Sequence, residues 1–138
     1  MNNYMNYDWY NYRHINMPNN NTSLFNPKEG FIKGNMFRNL YSQYKNYQPY
    51  DITPKNEKEK SMLEIGTMAF ASHDLNLYLD LHPEDQSMFM LFQDYRNKTN
   101  KLIEEYERRF GPIHIMSEQM NNSFDWSTKK WPWEGENV

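Results

Sequence analysis

Four histidines and no cysteine limit the chemistry open to this 138-residue chain. Without a thiol there is no disulfide, no thiolate metal site and no cysteine nucleophile. His73-Asp74 has the composition of a general base beside an orienting carboxylate. Neighbours on a helix point about 100° apart, which makes an exposed pair the expected reading. Asp94, Glu104 and Glu105 could supply a carboxylate metal site. The Glu-x-x-His spacing that di-metal bundles use occurs nowhere in the chain, however. Gly30 and Gly34 lack the Gly-Lys-Ser/Thr ending of a phosphate loop and read as turn glycines. His82-Pro83 reads as turn chemistry. The expectation is a protein with no catalytic, cofactor-binding or metal-ligating residue, and so not an enzyme.

What remains is the chemistry of contact. Pro132 fixes φ between Trp131 and Trp133, so two large rings are presented with little entropy left to lose. The Trp131-Pro132-Trp133 run either anchors in a partner's pocket or folds back over its own chain, and the residues leave both open. Tyr41, Tyr44, Tyr47 and Tyr50 recur every three residues. That spacing aligns rings on one face of a polyproline-II or 3₁₀ segment, and less well on an α-helix. Tyr41 and Tyr44 join the candidate partner contacts.

Helices are needed to position anything further. Ser61 and Glu64 have the spacing of a capping box and predict a helix from Met62 to about Leu81. One apolar stripe on it is Ile65, Met68, Ala69, Ser72, Leu75 and Leu79. A second line, Leu63, Phe70 and Leu77, faces elsewhere and is a candidate partner-binding face. It can be covered by the aromatic tail, by the N-terminal segment or by another protein. The helix should stop at His82, because the residue before Pro83 is pushed out of the α region. Pro83 suits the first position of a second helix, with Glu84 and Asp85 on its positive end. Met88, Phe92, Tyr95, Thr99, Leu102 and Tyr106 then follow steps of four and three, a heptad-like seam. It reads as hairpin core rather than a groove for a foreign helix. Phe110-Gly111-Pro112 closes the element with Gly as left-handed cap. So short a connection makes the helices antiparallel.

Composition divides the rest. Leu, Ile, Val and Phe make up 18% of the chain, under the roughly 20% below which disorder becomes a fair suspicion. The first 50 residues hold 12 of the 19 Asn and 8 of the 11 Tyr, without a defensible period. Residues 1–23 read as a flexible leader and 24–60 as an aromatic segment, with a turn at Asn26-Pro27 and a solvated linker from Lys55 to Lys60. A hairpin follows over 61–112 and a Trp/Pro tail over 113–138. The expected fold is mainly α: an antiparallel two-helix hairpin with a flexible, aromatic-rich N-terminal half and C-terminal tail. So small a hairpin rarely gains more than about 3–5 kcal/mol from its own core. The shortfall points to help from the flanking segments, from self-association or from another protein. A net charge of −3 gives no basic field for nucleic acid. No apolar run approaches the roughly 20 residues of a membrane span. Met1–Asp8 has neither a basic leader nor an apolar core, so no secretory signal is expected.

Three motifs together carry a resemblance. Leu77-Tyr78-Leu79-Asp80-Leu81-His82-Pro83-Glu84-Asp85, Phe110-Gly111-Pro112-Ile113 and Trp131-Pro132-Trp133-Glu134 resemble, in order and spacing, the bacterial spore coat protein CotJB family over about residues 62–138. Leu81 stands where that pattern has Thr, which removes a cap for the second helix. Upstream, Glu29 to Tyr44, within about residues 24–50, is similar to the small coat protein CotJA, so the chain resembles a fusion of the two. The resemblance implies a non-enzymatic structural component of the spore coat, made in the mother-cell cytoplasm. Its implied partners are other coat proteins, among them a CotJC-like manganese catalase. The alternative is a soluble adaptor subunit that docks on an enzyme and recruits or regulates it.

Overall fold

The computed structural model describes residues 23–40, 45–114 and 116–117, and among these it is helical. Three helices occur: α1 (Pro27–Lys33), α2 (Glu57–Leu81) and α3 (Gln86–Phe110). Two segments of the chain meet across α1 in an isolated antiparallel bridge, Leu24 to Phe37.

The start of α1 corrects the expected turn at Asn26-Pro27. Asn26 is the cap, its Oδ1 accepting the Glu29 N–H at 2.8 Å, and Pro27 stands just inside with φ already set for a helix. Gly34, at φ 71°, ends it in the left-handed region. Gly30 is no turn glycine. It lies inside α1, where a Cβ would collide with Met36 Sδ.

Helix α2 begins before the expected Ser61. Asn56 is its cap, accepting the Glu59 N–H at 2.8 Å, and the Glu59 carboxylate reaches back to the Lys55 N–H at 2.6 Å. Two capping patterns compete over this stretch, and the Asn56–Glu59 one wins because Glu57, Lys58 and Lys60 are all good helix formers. The expected linker from Lys55 to Lys60 is therefore mostly helix. At the other end α2 stops after Leu81, as Pro83 requires.

The start of α3 also shifts. Asp85, rather than a helix beginning at Pro83, caps it by accepting the Met88 N–H at 3.1 Å. Pro83 and Glu84 form the turn that precedes it. Gly111 ends α3 with positive φ (98°) but extended ψ (176°), so the expected left-handed cap is not adopted.

Helices α2 and α3 pair antiparallel. Arg109 near the end of α3 comes within 4.0 Å of Glu57 at the start of α2, and the Tyr78 hydroxyl contacts the Asp85 carboxylate at 3.2 Å beside the connection. Met68, Ala71 and Leu75 pack against Met88, Leu91 and Tyr95, with Phe70, Tyr78, Leu79, Phe92 and Leu102 around them. Three buried residues of the hairpin, Thr67, Ala71 and Leu91, lie off the expected stripes.

The hairpin does not close this core alone. Leu24, Met36 and Phe37 enter it from upstream, and Met36 has no exposed surface. Residues 24–37 thus pack into the molecule rather than hanging free, which corrects the expectation of a flexible N-terminal half for that stretch. The leader 1–22 and the tail beyond Ser117 lie outside the described residues.

Candidate partner-binding surface

The upstream segment is held on α2 by one polar clamp and two ring contacts. Asp74 Oδ2 accepts the Met36 N–H at 2.7 Å, joining residues 38 apart in sequence. Phe37 stacks on Tyr78 with centroids 5.0 Å apart, and Tyr78 in turn lies 4.4 Å from the His82 ring. Phe31 meets Phe70 edge-on at 5.9 Å. Its ring also lies over Gly66, close enough that a Cβ there would be in ordinary van der Waals contact with it. Arg38 binds the Leu24 carbonyl and the Glu29 carboxylate and covers the face of Phe25, closing the segment on itself.

His73 and Asp74 therefore take different environments. His73 is exposed, while the half-buried Asp74 carboxylate serves a backbone amide. Asp94 pairs with Lys98, one helical turn on. No group of three metal-ligating side chains converges among the described residues.

The second line on α2 splits into three fates. Leu63 is half-buried in the wall of a cavity. Phe70 is half-buried under Phe31, so the N-terminal segment supplies cover at this point. Leu77 stays 50% exposed and Leu81, one turn on, 79% exposed. Phe89 and Met90, on the first turns of α3, are also exposed. Large apolar side chains thus remain in water on both sides of the connection, where a monomer gains nothing from them. Their exposure was not foreseen beyond Leu77, although Leu77 and Leu81 have the four-residue spacing of a helix face. Of the other candidate contacts, Tyr41, Tyr44, Trp131, Pro132 and Trp133 lie outside the described residues.

The cavity, about 170 Å³, lies between α1, α2 and the strap over residues 51–54. Phe31, Ile32, Ile52, Pro54, Leu63 and the aliphatic part of Thr67 line it, with Lys28, Asp51, Lys60 and Glu64 adding charge. Burial pushes the Glu64 carboxyl above its ordinary value. Lys60 opposes that shift, Glu105 and Glu57 add to it, and Arg109 opposes it.

The hairpin, its His-Pro turn and its Gly-Pro stop form one continuous unit, and the family model CotJB protein matches residues 59–134 across it. The chain belongs to the CotJB family. The match starts inside the first turn of α2 and leaves α1 outside. Membership gives the chain a spore-coat-related role. The Leu81 departure from the family turn has no cost at α3, because Asp85 is the cap. No curated protein and no solved structure matches the chain. No helix among the described residues is long and apolar enough to cross a membrane.

Proposed function

We infer that this CotJB-family protein is a non-enzymatic structural component of the spore coat, which joins the coat by protein–protein contact. The observation that carries the reading is the apolar surface left at the connection, Leu77 and Leu81 on α2 with Phe89 and Met90 on α3. Burying such side chains against a partner removes apolar area from water at roughly 25 cal/mol per Å². The partner is another coat protein, a CotJC-like manganese catalase first among them, and copies of this chain can associate through the same surface. Any redox chemistry belongs to that partner. Synthesis takes place in the mother-cell cytoplasm before deposition.

The upstream segment carries the CotJA-like part of this reading. In a fusion, two proteins that touch are held at high effective concentration. The burial of Leu24, Met36 and Phe37 against the hairpin supports such contact.

The test is extraction and pull-down from sporulating cells, with the parent and a Leu81→Asp/Met90→Asp double variant. The parent should resist extraction from mature spores and co-purify with a manganese catalase, and the variant should lose both properties while keeping its helicity. A parent that washes out of spores yet still co-purifies with an enzyme is the soluble adaptor instead. A variant that incorporates normally refutes the surface.

A further inference from the structure

We propose that the cavity between α1, α2 and residues 51–54 is the seat of this chain's own Trp131-Pro132-Trp133 segment, one indole ring filling it. Size fits first. The cavity holds about 170 Å³, and an apolar protein cavity of roughly 150 Å³ accepts a benzene ring. Its walls fit next: Phe31, Ile32, Ile52, Pro54 and Leu63 offer aromatic and aliphatic faces to a large ring.

An indole also needs an acceptor for its one N–H. Glu64 lines the cavity, half-buried, and its carboxylate makes no hydrogen bond or ion pair among the described residues. A Phe would leave that acceptor unused.

Geometry favours this occupant over a foreign one. Glu107 at the end of α3 accepts the Ile113 N–H at 3.1 Å and contacts the Ser117 hydroxyl, holding Ile113 and Ser117 against that helix end. Arg109 shows that the same end lies beside Glu57. Lys60, Leu63 and Glu64 follow Glu57 by only one to two turns, about 10 Å along the axis. The 14 residues from Ser117 to Trp131 can span up to about 50 Å, so the tether reaches without strain. A ring tethered this closely competes at about millimolar effective concentration.

The chain has no native cysteine, so introduced ones report cleanly. In the full chain, Lys28→Cys with Glu134→Cys places thiols at the cavity rim and beside Trp133. A control pair, Leu81→Cys with Glu134→Cys, puts the first thiol at the far end of α2. At micromolar protein, the rim pair should form an intramolecular disulfide about tenfold faster than the control. Adding Trp131→Ala and Trp133→Ala should bring the two rates together. Equal rates with the tryptophans present would overturn the proposal, and so would rim disulfides that link two chains. An advantage that survives removal of both rings would overturn it too, since the tether alone would then explain it.

Discussion

Asp74 accepts the Met36 N–H across 38 residues of sequence, and Gly30 leaves room for the Met36 side chain, so two small features seat one fully buried residue. At Gly30 two effects oppose each other. Alanine improves helix propensity by about 1 kcal/mol, but its Cβ collides with Met36 Sδ and lies 3.3 Å from the Asn35 carbonyl oxygen. Overpacking of this kind costs about 1–3 kcal/mol, and the backbone contact cannot be relieved by a rotamer change. Gly30→Ala should therefore lower the melting temperature, whereas propensity alone would raise it. Glu64 carries a pH signature. Its carboxyl is raised chiefly by burial, so the folded state disfavours the charged form. Above its folded value the ionised group costs stability. That cost fades as the pH falls and is gone below 4.5, where the group is protonated folded and unfolded alike. Glu64→Gln should melt higher than the parent at pH 7 and level with it at about pH 4. Thermal melting at the two pH values checks the sign.

Helix ends are the clearest test at the scale of elements. Ser61 with Glu64 and Asn56 with Glu59 both satisfy the spacing of a reciprocal cap, and the structure uses the second. Asn56→Ala should cost about 1 kcal/mol of stability. Ser61→Ala should cost little or stabilise slightly, because position 61 is then helix interior, where alanine is the better residue. Urea denaturation of the two variants separates the starts, and a reversed order would restore the later one. The turn between α2 and α3 was easier to read. Pro83 stops α2 by a steric rule that needs no tertiary partner. Where α3 begins depended on which acidic side chain reached a free amide, and Asp85 reaches that of Met88.

Across the whole molecule, the line Leu63, Phe70 and Leu77 divides into a buried part and an exposed part. Phe70 packs under Phe31 and against the core, so Phe70→Ala should cost about 1–3 kcal/mol, less than for a fully buried ring. Leu77→Ala, at an exposed site, should change stability by under about 0.5 kcal/mol. If Leu77 serves assembly, its loss appears in incorporation into spores rather than in the melt. Paired melting and incorporation measurements on both variants check the division. Equal melting temperatures for Phe70→Ala and the parent would mean that the upstream segment does not cover α2 in solution.

Periodicity fixed the hairpin, because the apolar residues of α3 return every three to four positions and neither Pro83 nor Pro112 can sit in a helix interior. The seam Met88, Tyr95, Thr99 and Tyr106 is buried as that spacing requires. The shortage of interior in so short a hairpin was equally legible, since area scales with the number of apolar residues. What supplied the missing interior was not legible. Residues 24–37 have no repeating apolar face, and Leu24, Met36 and Phe37 become core only because α1 turns them back onto α2. Asp74 gave no sign of its partner either, since a hydrogen bond between residues 38 apart leaves no local spacing to read. Local rules act within a turn or two of helix and are written in neighbouring residues. The cavity, the clamp and the uncovered end of α2 arise where distant segments meet, and only tertiary packing decides them.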